Sequence, residues 1–148
     1  LLDVRYGSDV YRRTILGRAL EAGFGELTVV VDGEDAGLVE VLLSVLPAGA
    51  RVILASLPAD DDYAVTLIRR FQRRDVMAGF EVAGCDDALE AAVAGADFVV
   101  ASGNEAGGRV SAKTSLTLIQ EMAGVVSVPV IIRGDLGPLG AAAALAAG

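Results

Sequence analysis

The chain has 148 residues, 53% of them hydrophobic, with 12 basic against 20 acidic side chains and a net charge of −8. That is enough chain for one cored domain and too apolar a composition for a disordered segment. The acidic balance excludes a nucleic-acid or anionic-membrane surface, and charges interrupt each apolar run before the about 18 residues a membrane helix needs.

Histidine is absent, so the commonest metal ligand and the commonest acid–base side chain are both missing. Cys85 is the single cysteine, which rules out an internal disulfide or a multi-thiolate metal site and fits a reduced, cytoplasmic setting. All the basic residues except Lys113 are arginine, and alanine and glycine abound, as in chains from GC-rich bacterial genomes. Leu1 already lies in an apolar run, without a targeting segment, and Gly148 follows the alanine-rich run 141–147. The expectation is a single, truncated domain, residues 1–148, of a larger protein.

Strand-like runs recur at residues 1–5, 27–32, 51–57, 77–83, 96–102 and 128–133. Most are apolar on both faces, as strands of a covered parallel sheet are. Helical patterns lie between them. Asp9 is placed to cap the first, with Val10, Ile15, Leu16, Ala19 and Leu20 inward. "GFGEL" at Gly23 is a decoy for a dinucleotide loop, because it precedes a strand instead of following one. Leu38, Val41, Leu42, Val45 and Leu46 form the second apolar stripe, ended by Pro47. Tyr63, Leu67, Ile68 and Phe71 form the third, and the cluster "RRFQRR" at 69–74 reads as its solvated face. Asp87 and Glu90 fit a capping box on the fourth helix and Gly95 its C-terminal stop. Leu116, Ile119 and Met122 line the fifth.

Strand and helix alternating at this spacing predict right-handed βαβ units, in either a doubly wound sheet or part of a (β/α)8 barrel. In both, ligands bind beyond the C-terminal ends of the strands. The residues there are Arg5, Tyr6, Asp32, Ser56, Glu81, Ser102 to Arg109, and Arg133 to Gly137.

Two of these loops carry candidate chemistry. In "SGNEAGGR", Gly107 and Gly108 allow positive φ and expose backbone N–H groups. Glu105 can accept from a ligand or a neighbouring loop, and Arg109 can hold an anion. The same residues also suit a tight βα turn with a surface Glu and Arg. In "PVIIRGDLGPLG", a strand ends at Arg133, and Gly134, Asp135, Leu136 and Gly137 lead into a helix. A glycine turn at a helix N-terminus suits phosphate, whereas Asp135 equally suits a helix cap.

"GADFVVASGNEAGGRVS" and "VPVIIRGDLGPLGAAAALAAG" resemble the sixth and seventh strands of the nitronate monooxygenase (2-nitropropane dioxygenase-like) family of FMN-binding TIM barrels. The resemblance is sharp over residues 95–148 and fold-level over 1–94. The arginine after the double glycine, and "RGDLG" in place of a Gly-Gly turn, look closest to copies embedded in bacterial type I polyketide synthases. The resemblance implies a (β/α)8 TIM-barrel fold with six βα units present, the first and eighth strands lying outside the chain. It implies FMN as cofactor, with Ser102, Gly103, Gly107, Gly108, Arg133, Gly134 and Gly137 near it.

Two departures bear on activity. The family's catalytic base is a histidine directly after the double glycine, and here that position is Arg109, a side chain that keeps its proton. The phosphate turn reads Gly134-Asp135, placing a carboxylate where a phosphate would sit. Two functions follow as expectations. One is a flavin-dependent oxidoreductase domain of a polyketide synthase, with Glu105 and Arg109 as candidate catalytic residues and Lys113 beside them, acting on an acyl or other small-molecule substrate. The other is a non-catalytic structural or docking barrel, with the other synthase domains as partners. A phosphate-binding barrel of primary metabolism is a weaker third.

Overall fold

The computed structural model describes residues 1–23 and 26–147, so Phe24 and Gly25 of the decoy "GFGEL" lie outside the described residues. Among the described residues strand and helix alternate, six of each. The chain divides into two compact units, Leu1–Ala78 and Gly79–Gly148.

The first unit holds three parallel strands, β1 (Leu2–Asp3), β2 (Thr28–Val31) and β3 (Arg51–Leu54), in chain order. Leu2 pairs with Val29, and Val29 with Val52. Val29, Val30 and Val31 are all buried, so β2 is covered on both faces, the reason its sequence is a continuous apolar run. Helices α1 (Asp9–Glu21), α2 (Ala36–Val45) and α3 (Asp61–Gln72) follow the strands. Their packing is set by Leu16, Leu42, Leu67, Ile68 and Phe71, each all but inaccessible to solvent. Tyr63 is only partly buried because its hydroxyl reaches out to donate to the Gly33 carbonyl at 2.9 Å.

Two expectations shift here. The cap of α1 is Ser8, whose Oγ accepts from Tyr11 N, while Asp9 becomes the first helical residue and pairs with Arg12. The buried stripe of α2 is Leu38, Val39, Leu42 and Leu43, with Val45 exposed. Asp35 caps α2 through Leu38 N at 3.0 Å, and Leu38, Leu42 and Leu46 of the expected stripe stay buried while Val39 and Leu43 join them.

The second unit holds the rest of β4 (Met77–Val82), then β5 (Phe98–Ser102) and β6 (Val130–Arg133), again parallel. Val82 pairs with Ala101 and Ser102 with Arg133. Helices α4 (Cys85–Val93), α5 (Ser115–Met122) and α6 (Pro138–Ala147) complete it. The stripe of α5 is Leu118, Ile119 and Met122, and Leu116 faces solvent. Gly95 ends α4 at φ +88°, as a helix stop requires. The expected capping box at Asp87 and Glu90 is absent. Gly84 is the cap residue of α4 and makes no side-chain cap bond, and Asp87 instead reaches back to accept from Ala83 N at 3.2 Å.

The first unit supplies two stability predictions and the second unit one. Asp35 bridges α2 and Arg12, accepting from Leu38 N and, at 2.6 Å, from Arg12 Nη1. The Leu38 N–H, with the guanidinium, holds its carboxyl below the ordinary value of 3.8. A lowered folded value contributes stability above the unfolded value that is lost as pH falls through the folded one. Asp35→Asn is therefore expected to cost about 1 kcal/mol or less at neutral pH. The gap from wild type should close below about pH 4, read by urea denaturation across pH. In the second unit, a methyl on Gly79 would strike the Phe98 carbonyl and lie 2.6 Å from the Phe98 ring. Gly79→Ala should lower the unfolding free energy by about 1–3 kcal/mol. Gly17→Ala, in α1 with nothing within 4 Å, should raise it by up to about 1 kcal/mol in the same assay.

Candidate functional site

The site lies in the second unit, where β4, β5 and β6 end. It is built on the absence of two side chains. Each of β5 and β6 is followed by a glycine, and a Cβ on Gly103 or Gly134 would collide with Ser115, the first residue of α5. Without those methyls the helix start packs directly onto both strand ends. Ser115 is fully buried there. Its backbone N–H donates to both Glu105 carboxylate oxygens, at 3.2 and 3.1 Å. Its hydroxyl lies 3.1 Å from Glu105 Oε2 and 3.3 Å from the Arg133 carbonyl oxygen. Thr114 caps the same helix through Thr117 N. The carboxylate thus satisfies an N–H group that the helix start would otherwise leave without a partner.

These contacts fix the state of Glu105. Its own backbone N–H is the main cause holding its carboxyl below the usual glutamate range; burial opposes this, and the N–H and hydroxyl of Ser115 add to the lowering. A carboxylate so held is a poor proton acceptor near neutral pH.

The loop after β5 is closed at its neck. Ser111 N donates to the Ser102 carbonyl at 2.8 Å, and Asn104 N to the Lys113 carbonyl at 2.9 Å. Ala106 N turns back to the Gly103 carbonyl at 3.0 Å. At the tip, Gly108 takes φ +90°, a conformation that needs glycine, and a Cβ on Gly107 would meet open space. Among the described residues, no protein group accepts from the N–H groups of Gly107, Gly108, Asp135 or Gly137.

Arg109 and Lys113 leave this cluster. Arg109 Nη2 reaches Asp87 Oδ2 on α4 at 3.3 Å, with the side chain 46% exposed. Lys113 Nζ pairs with Glu121 at 2.7 Å. Together with Gly84 and Cys85, residues Asp87, Lys113 and Glu121 line an open cleft of about 480 Å³. An apolar cavity of about 450 Å³ between α5, β6 and α6 is lined by Ile119, Met122, Val130, Ala141 and Leu145, and of the two loops only Leu136 reaches it. Asp135 is exposed and precedes the helix, which begins at Pro138, so it does not occupy the cap position expected of it.

Arg133, at the end of β6, points its Nη2 at Glu81 Oε1, 2.6 Å away, and the same nitrogen donates to the Gly107 carbonyl. Glu81 is buried and also accepts from Ser102 Oγ at 3.1 Å. So Ser102, Gly103, Glu105, Gly107, Arg133 and Gly134 come together, while Arg109, Lys113 and Gly137 lie outside their hydrogen-bond network. Sequence reasoning placed Glu81 at a strand end without a role, and missed Ser115. The usable signal for Glu81 is a lone charge inside the apolar strand "MAGFEV", where a buried acid demands a partner.

No curated protein matches the chain. Among solved structures, FabK from Thermotoga maritima is 26% identical with a TM-score of 0.75, over 92% of this chain and 43% of that one. A nitroalkane oxidase from Streptomyces ansochromogenes is 23% identical with a TM-score of 0.78, over 99% of this chain and 54% of that one, a likeness of fold. The chain thus spans about half, or less, of the solved proteins it matches. The fold is α/β of the (β/α)8 TIM-barrel type, represented by six βα units. The family model for nitronate monooxygenase covers residues 10–148, and the chain belongs to that family of flavin-dependent oxidoreductases.

Proposed function

We propose that the chain is a flavin-binding domain of nitronate monooxygenase type that lacks the family's proton-abstracting step. The observation that carries this is the engagement of both polar side chains of the glycine loop. Glu105 is held by Ser115 with its carboxyl below the usual range, and Arg109 is paired with Asp87. In the resemblance, the residue after the double glycine is the histidine that removes a proton from the carbon next to the nitro group. An arginine there keeps its proton.

The backbone supports cofactor binding. Among the described residues the N–H groups of Gly107, Gly108 and Gly137 have no protein acceptor, and a Cβ on Gly107 or Gly137 would meet open space. FMN is the group these turns suit, with phosphate on the Gly134–Gly137 turn, at the start of α6. When bound, the flavin supplies the electron transfer. The chain's residues do the rest. Gly107 and Gly108 let the loop backbone approach, Ser102 and Arg133 hold the strand ends beside it, and Lys113 and Asp87, the partner of Arg109, line the cleft where a small or acyl substrate enters. "RGDLG" and Arg109 support a place within a bacterial polyketide synthase in the cytoplasm, with its other domains as partners.

The second reading is a non-catalytic structural or docking barrel. Asp135 favours it, since a carboxylate near a phosphate is repulsive by about 1 kcal/mol at partly exposed separations.

The absorbance spectrum of the purified protein separates the two readings. Bands of oxidised flavin are expected, and their absence after reconstitution with FMN would establish the structural barrel. Oxygen consumption with a simple alkyl nitronate should be at background. Robust turnover by the unmodified protein would make another group the base and end the first reading. Asp135→Gly should tighten FMN by about fivefold, the equivalent of about 1 kcal/mol. Arg109→His should fold normally, because an exposed ion pair contributes little, and should bring measurable nitronate oxidation when combined with Asp135→Gly.

A further inference from the structure

The buried acid Glu81 has no part in the function just described, and it is costly to keep. A carboxylate removed from water is tolerated only with a cation and hydrogen bonds around it. Its side chain is fully buried, on the sheet face that also carries Val100 and Ser102. Ser102 Oγ donates to its Oε1 at 3.1 Å, and Arg133 Nη2 lies 2.6 Å from the same oxygen. The Arg133 side chain remains 28% exposed, so the cation sits between the buried acid and the loop above it. That one nitrogen has two N–H bonds. It donates to the carbonyl of Gly107 and is ion-paired with Glu81.

A guanidinium free to move would not select one loop conformation. Here it cannot move, because Glu81 is itself pinned by Ser102 on the neighbouring strand. Gly107 and Gly108 have no side chains to fix them, and Gly108 is held at φ +90°. The carbonyl of Gly107 is therefore the handle by which the tip is held.

We propose that Glu81 is a positioning residue that acts through Arg133 on the Gly107 carbonyl, so that a buried acid on β4 sets the conformation of the glycine loop after β5. The proposal depends on the functional reading above only for what the loop faces.

The test is amide hydrogen exchange of residues 103–113 in the purified full chain without added flavin, so its outcome is independent of the absorbance spectrum that tests flavin binding. The variants are Glu81→Leu, Arg133→Met and the pair together. Each single change should speed loop exchange on the order of tenfold, the worth of one hydrogen bond to a charged group. The double change should add nothing further, because both remove the same link. Exchange in α4 should stay at the wild-type rate. A general loss of packing would move α4 as well, so unequal effects distinguish positioning from a merely structural role. Replacing the pair by apolar residues often leaves a fold intact. If the single variants fail to fold, Arg133→Lys keeps a cation beside Glu81 on a side chain one bond shorter. It should release the loop while the melting temperature holds. Loop exchange at the wild-type rate in the folded variants, or effects that multiply in the double variant, would overturn the proposal.

Discussion

The second unit depends on a constraint of space. Two parallel strands end side by side, and the next helix must begin against both of them. It can do so only because Gly103 and Gly134 present no Cβ to Ser115. The consequence runs outward from that contact. Ser115 carries an N–H group with no partner inside the helix, and Glu105 comes in to accept it. With Glu105 anchored and the neck closed by Ser102 and Ser111, the residues between are forced into a tight excursion. The double glycine falls at its tip. The loop shape is thus a result of packing at the helix start, and the acid of the loop, Glu105, acts first as part of that packing.

The same strand ends carry a second requirement, electrostatic instead of steric. A buried pair such as Glu81 and Arg133 is poor value as a source of stability, because desolvation of the two ions offsets most of their attraction. A leucine on β4 would satisfy the sheet with less difficulty. What the pair supplies is direction. An arginine nitrogen fixed between two acceptors on different elements determines where the second acceptor lies. Steric exclusion at Gly103 and Gly134 fixes the base of the loop, and the charge pair fixes its tip.

Much of the fold was legible because it follows from short-range pattern. Strands buried on both faces read as continuous apolar runs, and all six appear within a few residues of their expected bounds. Helix faces were less secure. Val45 and Leu43 are both apolar, and only the cap at Asp35 decides which turns inward. Caps themselves were misplaced by a residue or more wherever two candidates stood together. Ser8 took the role given to Asp9, and Asp87 bonds Ala83 although the box pattern pointed to Glu90. The site was legible in its glycines and invisible in its pairings. That Glu105 meets Ser115, or that Arg133 meets Glu81, depends on which strands adjoin and how their registers align. No local spacing encodes that.

Backbone and side chain make separate contributions to a flavin site, and this chain keeps them apart. N–H groups on glycine turns bind a phosphate or approach a ring whatever the neighbouring side chains are, since they need only the right backbone conformation. Proton abstraction needs one side chain with an accessible, suitably basic atom. Here the steric and electrostatic constraints that shape the backbone are intact at Gly103, Gly134, Ser115 and Glu81. The residue after the double glycine is an arginine turned towards Asp87. On the proposed reading, the loop is held by contacts that do not involve the residue after the double glycine. It follows that a loop of this form, taken alone, argues for a bound cofactor and leaves the reaction to be decided by the residue after the double glycine.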